Sequence, residues 1–176
     1  MGKYERGGRG EPCAALNEEA VLAQIVQIRA LEQRDLSALL SMVVDLTKHH
    51  HDEPRLTPES LARDFFGPVA WYHGLVAVRG PKVVGYAATL PLGRLGYGTR
   101  GLELHHLFVD PTARHQGVGR QLVRAVETLA RELDCTYVMI GTHPDNHAAQ
   151  GYYQHLGYAH HASLAKRFSK HLDIAP

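Results

Sequence analysis

The chain has 176 residues, 44% of them hydrophobic and 21% charged, and its 19 Lys and Arg against 18 Asp and Glu leave a formal charge of +1. That length suits one globular domain with a sizeable core. The balanced charge, with no basic patch or stripe, argues against a nucleic-acid partner. No apolar run approaches the roughly 20 residues of a membrane span, so no membrane partner is expected.

Residues 1–22 are Gly- and charge-rich and read as a flexible N-terminal extension. They lack the apolar segment of a secretory signal, and Arg6 breaks the myristoylation pattern. Cys13 and Cys135 read as free thiols in a reducing, cytoplasmic setting.

Residues 23–176 read as a single domain. Ile25-Val26-Gln27-Ile28 predicts a first strand, and Asp35 an N-cap for a helix bearing Leu36, Leu39, Leu40, Val43 and Leu46 at helical spacing. Thr57-Pro58 opens a short helix that ends near Gly67-Pro68. Strands Leu75–Val78 and Val83–Leu90 follow, joined by the turn Arg79-Gly80-Pro81-Lys82. The three glycines of Gly93–Arg100 predict a loop, and Leu102–Val109 a strand that Asp110-Pro111 stops. A helix spans about Gly117–Leu133, with Val118, Leu122, Val126, Leu129 and Leu133 on one face. Thr136–Ile140 is a strand, Asn146–Leu156 a helix and Tyr158–Lys166 a final strand. The latter half alternates strand and helix, as in an α/β (α+β mixed) sheet with crossover helices.

Thirteen histidines include the runs His49–His51, His105-His106 and His160-His161. No HExxH or CxxC spacing accompanies them, and no metal is expected. The His49–His51 run, followed by Asp52 and Glu53, reads as a solvated helix end.

The most informative segment is Phe108-Val109-Asp110-Pro111-Thr112-Ala113-Arg114-His115-Gln116-Gly117-Val118-Gly119-Arg120, where a strand ends and a helix begins among glycines. The first amides of a helix lack internal partners and carry the positive end of its dipole, which makes a seat for a diphosphate. Gly117 and Gly119 remove the Cβ atoms that would hold phosphate oxygens away, and Arg114 and Arg120 add positive charge. Neither GxGxxG nor GxxxxGK[ST] fits.

The RxxGxG at 114–119 resembles the acyl-CoA signature of GNAT acetyltransferases, and Asn146-His147-Ala148-Ala149-Gln150-Gly151-Tyr152-Tyr153-Gln154-His155-Leu156-Gly157-Tyr158 is similar to the family's NxxAxxFYxxxGF pattern. Upstream, Ile28-Arg29 with Asp35, Leu46-Thr47-Lys48, Leu56-Thr57-Pro58-Glu59 and Phe65-Phe66-Gly67 resemble the spermidine/spermine and thialysine N-acetyltransferase branch. The resemblance implies the acyl-CoA N-acyltransferase fold, a twisted mixed sheet flanked by helices that splays near its centre, with acetyl-CoA as cosubstrate in the gap. It implies that the amides of Arg114, His115, Gln116, Gly117, Val118, Gly119 and Arg120 hold the diphosphate. The strand end at Leu107, Phe108 and Val109 would pair with the pantetheine arm, and Asn146, which also suits an N-cap, would contact that arm. A homodimer is compatible with such folds.

The implied reaction moves acetyl directly to a primary amine in a ternary complex. Freeing an amine of pKa about 10.4 at neutral pH costs roughly 4–5 kcal/mol, so a base must take the proton. Tyr153 matches the motif tyrosine expected at the coenzyme sulfur, with Tyr152 as the neighbouring alternative about 100° round the helix. Glu103 and His105 are the candidate bases; alternation along a strand gives them one face and His106 the other, unless a bulge re-aims them. Glu103 matches the glutamate of the histone-acetylating branch, whereas His105-His106 replace acidic residues of the polyamine branch and weaken attraction for polyamines. Small amines, amino acid derivatives such as thialysine, and protein lysines or N-termini remain open as acceptors. A non-catalytic acyl-CoA sensor is the alternative reading.

Overall fold

The computed structural model describes residues 25–49, 52–161 and 170. Their elements are β1 (Val26–Ala30), α1 (Leu36–His49), α2 (Pro58–Phe66), β2 (His73–Arg79), β3 (Lys82–Arg94), β4 (Thr99–Val109), α3 (Val118–Glu132), β5 (Tyr137–Ile140) and α4 (His147–His155). The chain divides between Gly141 and Thr142 into two compact units, with α4 in the second. In the first unit one sheet runs β1-β2-β3-β4-β5; the first four strands are antiparallel neighbours and β5 lies parallel to β4.

Strand register fixes what each face buries. Tyr86 and Ala88 on β3, with Phe108 opposite Tyr86 on β4, join Leu31, Val76, Leu39, Met42, Val43 and Leu61 in one core cluster, which places α1 and α2 on that face. Each such aliphatic side chain, fully buried, stabilises the fold by about 1.5–3 kcal/mol. The other face takes α3, whose Val118, Leu122, Val123, Val126 and Ala130 are buried at helical spacing. Contact there is close: a Cβ on Gly85 would lie 2.8 Å from the Phe108 carbonyl oxygen and 3.4 Å from Leu122 Cδ1.

The expected capping of α2 is present, since Thr57 Oγ1 accepts from Ser60 N–H (3.2 Å) and Ser60 Oγ from Thr57 N–H (2.9 Å), with Pro58 at the first position. Asp35, expected to cap α1, instead closes a 3-10 turn at Gln33–Asp35. Arg29 on β1 claims its buried carboxylate through bonds of 2.6 and 2.9 Å, and Glu32 N–H donates to it at 2.9 Å. A bidentate charged pair outcompetes a neutral cap.

The expected loop at Gly93–Arg100 is half sheet. Gly93 pairs with Arg100 and Arg94 with Thr99, leaving only a turn at Leu95–Tyr97 and Gly98, whose φ of +60° reverses the chain. Tyr158–His161 form no strand: the Tyr158 amide still donates to Tyr153 O (3.1 Å), closing α4 past Gly157. The rest of that expected strand (162–166), the extension 1–22 with Cys13, and His50 and His51 lie outside the described residues.

Candidate active site

Two parts of the first unit converge on β4. The first is the turn from β4 into α3. Asp110 leaves the strand with its amide bonded to Val84 O (2.9 Å), and its carboxylate accepts from Thr112 N–H (2.9 Å), Thr112 Oγ1 (2.6 Å) and Lys82 Nζ (3.0 Å). The Thr112 hydroxyl and amide, then Lys82, hold that carboxyl down at about 2. His115 and Gly117 both adopt left-handed backbone, φ +60° and +80°. Such alternation turns successive N–H groups to one side, the geometry of an anion-binding nest.

The helical ladder of α3 begins with Gln121 N–H to Gly117 O (3.0 Å), and no side chain caps the helix at Gly117. The amides of Val118, Gly119 and Arg120 precede that first bond. A Cβ on Gly117 would meet no protein atom within 4 Å, so the space beside these amides is open. Arg114, His115, Gln116 and Arg120 are exposed, whereas the Val118 and Phe108 side chains are buried in the core and leave only their main chains to a ligand. Arg114 Nε donates to Val109 O (3.0 Å), and its guanidinium lies 5.9 Å from the Phe108 ring centre. Leu107 and Val109 lie past the end of the β4–β5 ladder, which stops at Leu104–Ile140.

The second part is the face of β4 under α1 and α2. The β3–β4 register slips between Ala88, opposite His106, and Thr89, opposite Leu104, so His105 is the extra residue of a bulge. Simple alternation, which would turn His106 away from Glu103 and His105, therefore gives way to the bulge that the sequence reading left open. The His105 and His106 rings stack in parallel, 4.8 Å apart and 5° from coplanar. His105 Nδ1 lies 3.7 Å from Glu103 Oε1, within ion-pair range and beyond a direct hydrogen bond. His106 Nδ1 shares a 3.2 Å hydrogen bond with the Tyr86 hydroxyl. Burial pushes the Tyr86 phenol above the ordinary tyrosine range, so it stays protonated at neutral pH.

On the outer side Tyr72 stacks on His105 (5.8 Å) and Phe65 packs on Tyr72 (5.4 Å). Burial raises the Tyr72 phenol, helped by the Asp64 and Glu103 carboxylates. A continuous row of rings thus runs Phe65, Tyr72, His105, His106, Tyr86, Phe108, with one carboxylate, Glu103, beside its exposed imidazole.

In the second unit Asn146 caps α4, its Oδ1 accepting from Ala149 N–H (3.0 Å). The rings of Tyr152 and Tyr153 meet edge to face at 5.3 Å, and Tyr158 packs on Tyr153 at 6.1 Å. Burial, with a smaller contribution from Tyr152, pushes the Tyr153 phenol up to about 12. Among the described residues no three His, Cys, Asp or Glu side chains gather as a metal site, and no helix is long and apolar enough to cross a membrane.

Residues 38–158 match the acetyltransferase (GNAT) family. The chain belongs to the GNAT family. It is 29% identical over 145 residues to thialysine N-epsilon-acetyltransferase of Bos taurus, covering 75% of this chain and 83% of that one. It is 36% identical to N-acetyltransferase 8 of Homo sapiens over 83 residues, 47% of this chain and 37% of that one. The crystal structure of an aminoglycoside acetyltransferase from an uncultured soil metagenomic sample, in complex with sisomicin, superposes with a TM-score of 0.68, covering 82% of this chain and 95% of that chain at 16% identity. The mixed α/β fold is that of GNAT acetyltransferases. This GNAT chain is an acyltransferase, and acetyl-CoA is the cosubstrate of its family. Its named relatives are acetyltransferases, which favours catalysis over a non-catalytic acyl-CoA sensor.

Motif reading singled out the RxxGxG loop, Tyr153, Glu103 and His105. It missed Tyr72 and Tyr86, which reach the histidines only through strand pairing. A hydroxyl inside the apolar run Val83–Leu90 was the available signal for Tyr86.

Proposed function

We propose that this GNAT enzyme acetylates the primary amine of an amino acid derivative of the thialysine type, by direct attack on acetyl-CoA in a ternary complex. The reading is carried by the bulge at His105, which gathers Glu103, His105, His106 and Tyr72 on one face of β4. Glu103 supplies the negative charge that attracts an ammonium group, Asp64 being paired with Arg63, and the Tyr72 ring adds a cation–π surface. The two imidazoles keep the face less acidic than a polyamine groove. The mammalian relatives at 27–29% identity carry the thialysine name.

In the proposed reaction the loop amides from Arg114 to Arg120 hold the coenzyme diphosphate and the β4 end at Leu107–Val109 lines the pantetheine arm. The amide NH2 of Asn146 supplies a further contact to that arm, its oxygen being engaged in the cap. His105, with the Glu103 carboxylate nearby, takes the ammonium proton; the freed nitrogen forms its bond to the acetyl carbonyl, the carbon–sulfur bond breaks, and the nitrogen's second proton passes through solvent to the coenzyme sulfur, leaving amide and thiol. Tyr153 stabilises the departing thiolate. With its phenol at about 12 against about 8.5 for a thiol, complete transfer of the Tyr153 proton is uphill by roughly 5 kcal/mol, so its role is hydrogen bonding. A cytoplasmic setting is proposed with this, supported by the free thiol of Cys135.

The test is a panel of amines, namely thialysine and lysine derivatives, polyamines, an aminoglycoside and a lysine peptide, each incubated with acetyl-CoA while thiol release is followed. The amino acid derivatives are expected to give the highest kcat/KM. Thiol release that no amine accelerates would reject the proposal.

A further inference from the structure

The loop that bears the RxxGxG signature is held from outside by two residues in neither motif. Arg79 and Lys82 face each other as the last register pair of the β2–β3 turn. Lys82 Nζ grips the start of the loop at Asp110 Oδ2 (3.0 Å), and an Arg79 terminal nitrogen grips its end at Gln116 Oε1 (2.6 Å). Gln116 Nε2 donates back to Thr112 O (3.0 Å), and Thr112 donates to Asp110 Oδ1 through its amide and hydroxyl. A closed circuit of side chains therefore runs from the hairpin through the loop and back.

Inside that circuit sits one left-handed residue, His115, and a second, Gly117, follows directly after Gln116. A β-carbon disfavours this conformation at His115, so the surrounding bonds must hold it. Arg79 Nε is buried and makes no hydrogen bond, so the bond of its terminal nitrogen to Gln116 is the contact that ties this guanidinium to the loop.

We infer that Arg79 and Lys82 are positioning residues for the coenzyme: the β2–β3 hairpin sets the shape of Asp110–Gly117 before acetyl-CoA arrives. The inference rests on the proposed seating of the diphosphate at this loop. A preshaped loop does not pay its ordering cost at binding, so the clamp acts on affinity and leaves the chemical step alone.

Acetyl-CoA titrations and steady-state kinetics on wild type, Arg79→Leu, Gln116→Leu, their double variant and Arg79→Lys test it. Arg79→Leu is expected to weaken acetyl-CoA binding about five- to tenfold while kcat at saturating acetyl-CoA stays within about twofold, Gln116→Leu to weaken binding at least as much, and Arg79→Lys to recover most of the Arg79→Leu loss. The double variant should be no worse than Gln116→Leu alone, because that change already removes the bond to Arg79 along with the one to Thr112. Additive losses would overturn the inference, since Arg79 would then act elsewhere, on the coenzyme itself for instance. Unchanged affinity, or a fall in kcat at saturation, would also overturn it. Gln116 is exposed, so its variant keeps the test open if Arg79→Leu fails to fold. Wild type that binds no acetyl-CoA would instead sink the underlying seating of the diphosphate.

Discussion

In the proposed site, the end of β4 and the loop that follows are built in different materials. From Asp110 to Arg120 the useful atoms are main-chain N–H groups, aimed by left-handed residues and a helix start, while most side chains point to water or act as braces. From Glu103 to His106 the useful atoms are side chains, gathered by one inserted residue and by Tyr72 and Tyr86 on neighbouring segments. A backbone site depends on which residues allow a conformation. A side-chain site depends on which strand lies alongside. The first should fail when conformation is disturbed and the second when individual groups are removed.

The largest effect is expected at Gly117. A valine there would need φ near +80°, which a β-branched residue avoids, and would fill the open space beside the amides. Gly117→Val should raise KM for acetyl-CoA about a hundredfold in steady-state assays, since each tenfold corresponds to about 1.4 kcal/mol. A rise of less than about fivefold would break the backbone half of the comparison.

Removing the Tyr153 hydroxyl should lower kcat about tenfold or more, with acetyl-CoA affinity retained. Equal kcat in Tyr153→Phe would show that α4 carries no catalytic group at that position. On β4, His105→Ala should reduce kcat/KM about tenfold and remove the rise of rate with pH that marks a base losing its proton. If that limb survives His105→Ala and vanishes in Glu103→Gln, the carboxylate is the base and the imidazole its neighbour.

The smallest effect is on stability. Thr112 and Lys82 hold Asp110 at about 2, below its ordinary 3.8, so its bonds stabilise the fold above the ordinary aspartate range and this contribution is lost as pH falls toward 2. Asp110→Asn should therefore lower Tm at pH 6 by about 2 °C, a difference that shrinks on acidification, because the pair with Lys82 is largely exposed. A gap that stays constant from pH 6 to pH 2 would count against this.

The same contrast explains what could be read from residues alone. Glycine spacing, the Thr57-Pro58 cap and the apolar period of α3 are local, and the structure follows them closely. Asp35 was misread because Arg29 reaches it from β1, a contact that no local pattern encodes. The three glycines of Gly93–Arg100 suggested a loop, yet only Gly98 needs a glycine's conformation; Gly93 sits in a paired strand and Gly96 in the short turn. The bulge at His105 was foreseeable in kind but not in place, because register with β3 is set across the sheet. Its consequence, two stacked histidines on the face of Glu103, reverses simple alternation.

The most direct test of the account is a crystal structure with acetyl-CoA bound. The account predicts diphosphate oxygens about 3 Å from the amides between Gln116 and Arg120, the hydrogen-bond distance for such donors. A coenzyme bound with its diphosphate away from those amides would contradict it.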